Sequence, residues 1–302
     1  MKQARKVFFL SAVLMGGFLS PKAATAQVNY SEFKLDNGLH VILHRDNTTP
    51  IVTVAVMYNV GSKNEQPNRT GFAHFFEHLM FEGTKNIPRG QYPKFVERAG
   101  GTLNANTSSD RTYYYQTLPS NQLELGLWLE SERMLHATVD SQGIATQKQV
   151  VIEEKKQSYD NRPYGTILVE TMKRAYREHP YRWTTIGDPE HIMAARDEEF
   201  QEFYDSFYVP NNAVLVVAGD IDEAEAQQLV KKYYNDIPSG SGEIYRPSII
   251  EPPLGAEVRD TIFDNIQVPL LLQAYRMPAM GTADYYAIEM LGSLLSGGQS
   301  SR

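Results

Sequence analysis

The sequence predicts an α+β fold. Three observations carry this reading: β-branched runs grouped around an Asn-Gly turn within residues 33–58, a Thr- and Tyr-rich extended stretch at 102–118, and helical stretches with amphipathic spacing from residue 71 onward. The order strand, strand, helix returns after residue 257, which points to the start of a second, similar domain.

The elements follow in order. Phe33 to His44 encloses Leu35-Asp36-Asn37-Gly38-Leu39, read as strand, tight turn and strand. Ile51 to Tyr58 alternates apolar and small residues with β-branched content and is read as a strand. Gly61 to Thr70 is a polar loop. Gly71 to Phe81 is a helix halted at Gly83, and Gln91 to Ala99 a shorter one. Gly100-Gly101 opens the extended stretch, whose composition favours strands. Asn121 to Leu135 and Gln147 to Tyr159 are amphipathic helices, the second broken by Asn161 to Pro163. Asp197 to Tyr208 is helical, Ala213 to Val217 is a buried strand, and Asp222 to Asn235 is a further helix. Pro, Gly and Ser are frequent in residues 237–256, the expected linker. Val258 to Phe263 and Leu270 to Tyr275 read as strands, and Tyr285 to Leu295 as a helix.

The expected organisation is a signal segment at 1–26, a first domain at 27–236, the linker, and the start of a second domain at 257–302. That last stretch is too short to close its own core, so the sequence reads as a fragment of a longer protein. Lys2, Arg5 and Lys6 precede the apolar run Val7 to Phe18, and Ala24-Thr25-Ala26 supplies a small-residue cleavage site. This pattern predicts export to the periplasm or the exterior, with an uncleaved anchor as the alternative. The apolar run is short for a bilayer, and no later stretch predicts a stable membrane span.

Composition removes several functions. After residue 26 the chain holds 25 basic and 36 acidic residues, a net charge of −11. A nucleic-acid partner would require a basic face. The chain has no cysteine, so disulfides, thiolate metal ligands and thiol nucleophiles are all excluded. Any metal must be held by histidines and carboxylates.

His74-Phe75-Phe76-Glu77-His78 meets that requirement. A helix advances about 100° per residue, so Glu77 and His78 fall about 60° and 40° to either side of His74. The two imidazoles lie one turn apart on one face with the carboxylate beside them. Two histidine nitrogens, one carboxylate oxygen and a fourth position open to water make the catalytic zinc pattern, and an adjacent glutamate can take a proton from that water. Phe72, Phe75, Phe76, Leu79, Met80 and Phe81 surround the polar trio. A helix apolar on nearly every side is buried, and buried histidines need partners that a metal provides.

The remaining ligand comes from elsewhere. The 147–159 helix offers Glu153 and Glu154. Glu154 shares the face of Val150 and Val151, whereas Glu153 lies with Gln149, Lys156 and Gln157. Periodicity therefore turns Glu154 inward and Glu153 outward.

His74-x-x-Glu77-His78, with a downstream glutamate on Val150-Val151-Ile152-Glu153-Glu154, resembles the inverzincins of the insulinase/pitrilysin family, and most nearly their mitochondrial-processing-peptidase-like bacterial members. Leu35 to Leu39 resembles the opening hairpin, Gly71 to Thr84 the metal helix, and Gly100 to Thr107 the substrate-side strand. Phe207 to Asn212 and Val217 to Asp220 resemble the end of the first domain, and Leu294 to Arg302 a stretch inside the second. The resemblance implies an antiparallel-rich mixed sheet flanked by helices. It implies one Zn2+ per chain on His74, His78 and Glu154, Glu77 as general base, and a peptide or unfolded polypeptide added as a strand beside Asn104 and Ala105.

Two departures qualify the match. Many relatives carry an acid seven positions before the distant ligand, where this chain has Gln147, so metal affinity or rate is expected to be lower. The family also closes a chamber from two halves, and this chain ends inside the second half. The other half is expected from the same polypeptide or from a homo- or heterodimer partner. The leading expectation is an exported zinc metalloendopeptidase, with the truncated chain weakly active or inactive. The alternatives are a non-catalytic structural subunit and a module that binds peptide at the sheet edge without turnover.

Overall fold

The computed structural model describes residues 28–299 and residue 301. The signal segment expected at 1–26 lies outside these residues. Among the described residues no helix is long and apolar enough to cross a membrane.

Six strands form one mixed sheet: β1 (Ser31–Lys34), β2 (His40–Arg45), β3 (Ile51–Tyr58), β4 (Thr102–Thr107), β5 (Thr112–Pro119) and β6 (Ala213–Gly219), in the order β1-β2-β6-β3-β5-β4. Among the described residues only the β2–β6 pairing is parallel. The β1–β2 turn places Gly38 at φ +89°, where a side chain would meet Asn211 Cβ at 2.8 Å. Asn37 fixes the same turn by donating to the carbonyls of Tyr234 and Ile237.

The helices are α1 (Phe72–Leu79), α2 (Tyr92–Arg98), α3 (Leu123–His136), α4 (Ser141–Lys155), α5 (Ile167–Ala175), α6 (Pro189–Ala194), α7 (Asp197–Phe207), α8 (Glu223–Tyr234) and α9 (Ala283–Ser296). On β5, Thr112, Tyr114, Gln116 and Leu118 alternate inward. Tyr114 donates to the Phe76 carbonyl of α1, and Gln116 to the Gly126 carbonyl of α3, so both helices cover the same face of the sheet. The opposite face carries half-buried Thr53, Tyr113, Tyr115 and Thr117. The core between the layers holds Val54, Val56, Leu127, Leu215 and Val217, all excluded from solvent. Within it Arg133 pairs with Glu130 at 3.2 Å, and its guanidinium lies 4.4 Å from the ring centres of Tyr92 and Tyr114. Burial of this charge is tolerated because ion pair and aromatic faces both compensate it.

The strands expected at 258–263 and 270–275 are absent. These residues pair with no neighbouring strand among the described residues, and Phe263, Leu271 and Tyr275 are 84–92% exposed. A β-branched run becomes a strand only when another strand satisfies its backbone groups. The helix expected from Gln147 begins six residues earlier, where Asp140 accepts the Gly143 N–H and caps it. It ends at Lys155, followed by a wider turn through Asp160. Helices α5 and α6 lie in a stretch for which periodicity indicated no element.

Candidate metal centre

Helix α1 is anchored on its apolar side. The Phe75 and Phe72 rings lie 4.5 and 4.7 Å from Phe200 of α7, and Phe76 lies 5.4 Å from Phe203. Its N-terminus begins at Gly71 with φ +96°, where an added side chain would meet the Ile186 carbonyl at 3.0 Å. No neighbouring Ser, Thr, Asp or Asn caps this end. Instead buried Glu65 accepts the N–H groups of Gly71 and Ala73, both at 2.9 Å. Burial pushes the Glu65 carboxyl up to about 8, against the pull of these backbone bonds.

With the phenylalanines facing α7, His74 and His78 face α4. Their Nε2 atoms are 3.4 Å apart. Glu154 Oε2 lies 3.2 Å from His78 Nε2, and Oε1 lies 3.7 Å from His74 Nε2. These three residues are the group among the described residues whose donor atoms could hold one metal ion. Glu153, one residue earlier, points outward and is 56% exposed at its side chain. Val151 is buried but Val150 is 42% exposed, so Val151 alone defines the inward stripe that Glu154 joins.

Protonation suits a cation. Burial, reinforced by His78 and opposed by Glu154, brings His74 down to about 4, which leaves its imidazole neutral near pH 7. The hydrogen bond with His78, against burial and with help from the neighbouring His74 imidazole, lowers the Glu154 carboxyl. Neutral imidazole and ionised carboxylate are the forms that ligate. His74 Nδ1 is buried with no partner among the described residues, and Nε2 is the nitrogen directed to the shared point.

Glu77 stands beside this group. Burial raises its pKa, and a 2.6 Å hydrogen bond from Thr107 Oγ1 lowers it.

The sequence signature described as "Insulinase (Peptidase family M16)" matches residues 40–189, and "Peptidase M16 inactive domain" matches residues 196–302. Over 301 residues the chain is 32% identical to the zinc protease PqqE of Helicobacter pylori, covering 98% of this chain and 68% of that protein. The chain belongs to the insulinase family. Among solved structures, a protease from Helicobacter pylori superposes with a TM-score of 0.72 at 34% identity, covering 74% of this chain and 54% of the other. The periplasmic protease PqqL of Escherichia coli superposes with a TM-score of 0.65 at 26% identity, covering 72% of this chain and 25% of the other. The match thus spans from a quarter to about two thirds of the length of these relatives.

The remaining residues expected from the insulinase resemblance occupy β4, one of the two edge strands of the sheet. Asn104 is exposed and Ala105 half-buried. The Ala105 N–H is already taken by Asn104 Oδ1 at 2.9 Å. Gln147 does not reach the histidines: its Nε2 donates to Glu82.

Two residues at the site escaped sequence reasoning. Glu65 sat within the polar loop, and its role depends on a loop returning to the helix start, which no local spacing reveals. Thr107 fell within the matched strand, but its contact with Glu77 crosses 30 positions.

Proposed function

We propose that this chain is the zinc-holding part of a metalloendopeptidase that cleaves peptides or unfolded segments. The convergence of His74, His78 and Glu154, with Glu77 beside them, carries this reading. The three donors would hold one zinc ion per chain. When bound, zinc supplies Lewis acidity and brings the pKa of a water toward neutrality. Glu77 takes a proton from the attacking water and returns it to the departing amine. Thr107 holds the carboxylate of Glu77 in place for both transfers. The free edge of β4 takes up the peptide as an added strand, with the Asn104 side chain yielding the Ala105 N–H to it. This mode reads backbone more than side chains, so sequence preference is broad.

The basic start and apolar run of residues 1–26 support export, as does the likeness to a periplasmic protease. The domain reading keeps 27–236 as the catalytic unit, 237–256 as linker and 257–302 as the beginning of a second unit. The second half of the chamber comes from the same polypeptide or a partner subunit.

The test is metal content and peptide cleavage with and without chelator. Zinc near one per chain, with cleavage lost on chelation, supports the reading. A purified protein that holds no zinc and cleaves no peptide overturns it in favour of a non-catalytic, peptide-binding subunit.

A further inference from the structure

Helices α1 and α4 meet through more than the metal donors. His74, His78 and Glu82 recur every four residues along α1 and the turn that extends it, where the Glu82 N–H still reaches the Leu79 carbonyl at 3.0 Å. Gln147 and Glu154 lie seven residues apart on α4, two turns along one face. The two rows run in opposite senses. Glu154 meets the histidines, and Gln147 meets Glu82.

The second rung extends into a chain of four residues. Gln147 Nε2 donates to Glu82 Oε1, and Arg89 Nη1 donates to Glu82 Oε2. Arg89 Nη2 reaches Asp140 Oδ1 at 2.7 Å. That same oxygen accepts the Gly143 N–H at 2.7 Å and caps α4. The Glu82 side chain is only 10% exposed, so its carboxylate depends on these donors. The orientation of the Gln147 amide follows. Its Oε1 is buried with no partner among the described residues, and turning the amide over would set that oxygen against Glu82 Oε1, acceptor against acceptor.

We propose that Gln147, Glu82, Arg89 and Asp140 form a clamp that sets the approach of α4 to α1 and so presents Glu154 to His74 and His78. All four are positioning residues. The proposal rests on the metal reading above and adds a specific reversal to it. An acid in place of Gln147 does not strengthen this centre. It faces the carboxylate of Glu82 across a buried gap and drives the helices apart. The acid becomes tolerable only when Glu82 is exchanged for an amide at the same time, because the new amide donates to the new carboxylate.

The experiment compares the wild type with Gln147→Glu, Glu82→Gln and the double exchange. Zinc affinity is measured by competition with a chromogenic chelator, and amide hydrogen exchange of residues 144–155 is followed in the metal-free protein. Gln147→Glu is expected to bind zinc about ten-fold more weakly and to exchange faster through α4. The double exchange is expected to recover both. A Gln147→Glu protein that binds zinc as tightly as wild type or more tightly overturns the clamp, as does a double variant no better than the single one. If the wild type holds no zinc, the metal reading fails, while exchange still decides the clamp. Faster exchange in Gln147→Glu that the double variant reverses supports it, and unchanged exchange overturns it.

Discussion

Thr107 Oγ1 donates a 2.6 Å hydrogen bond to Glu77 Oε2, joining the last residue of the edge strand to the carboxylate beside the histidine pair. A bond this short between a hydroxyl and a carboxylate oxygen orients the carboxylate as well as stabilising it. Strand and carboxylate are thereby mechanically connected.

Removal of that hydroxyl should lower turnover without releasing metal. Thr107→Val is expected to reduce kcat about ten-fold, equivalent to roughly 1.4 kcal/mol, with zinc content unchanged. Thr107→Ser should restore most of the rate. Steady-state kinetics beside metal analysis checks this, and a wild-type kcat in Thr107→Val would remove the residue from the mechanism.

Metal content separates the two neighbouring glutamates. His74→Ala, His78→Ala and Glu154→Gln should each lower zinc from about one per chain to a trace. Glu153→Gln should retain it, because that side chain points to solvent. Zinc loss in Glu153→Gln together with retention in Glu154→Gln would reverse the assignment.

Glu77→Gln should hold zinc like the wild type, since Glu77 is not among the converging donors. Peptide cleavage should fall by about 10²- to 10⁴-fold, the usual contribution of a positioned general base. Cleavage at the wild-type rate would exclude Glu77 as the base.

Arg133 tests the core beneath the site. Arg133→Met removes the ionic partner of Glu130 and leaves that carboxylate buried beside the Tyr92 hydroxyl. Unfolding free energy should fall by about 3–5 kcal/mol. The companion Arg133→Met/Glu130→Leu, which removes both charges, should recover part of it. Denaturant titration distinguishes the two.

The acid limb of stability should depend on Glu251. Burial alone would raise its carboxyl, but the N–H groups of His179, Arg177 and Glu178 and the charge of Arg276 outweigh it and bring it to about 2. The unfolded chain holds this group near its ordinary value of 4.5. Its contribution is therefore complete above about pH 4.5 and disappears as pH falls through about 2. Glu251→Gln should be less stable than wild type at neutral pH, with the difference shrinking on acidification. A gap between the two melting curves that stays constant from pH 7 to pH 2 would refute this.

Several elements were legible because local rules suffice for them. The Asn37-Gly38 turn, the alternating strand at Ile51–Tyr58 and the helix carrying His74, Glu77 and His78 each announce themselves within a dozen residues. The helix at Ser141 starts six residues ahead of its apolar spacing, because its cap, Asp140, lies upstream of that spacing. Residues 258–263 and 270–275 show the limit of composition, since strand-like residues stay irregular without a neighbouring strand. Glu65 illustrates the same limit in a loop, where a carboxylate six to eight positions ahead of the N–H groups it accepts caps the helix without following any capping-box spacing.

The amino-acid sequence by itself determined which residues share a helical face, because the 100° step is a property of the backbone. It therefore separated Glu154 from Glu153 and grouped His74 with His78. Only the tertiary structure decided what those faces meet. The contacts of Glu154 with the histidines, of Thr107 with Glu77 and of Gln147 with Glu82 join segments 30 to 80 positions apart. Such contacts depend on how helices pack against the sheet and against each other, and local periodicity carries no information about that distance.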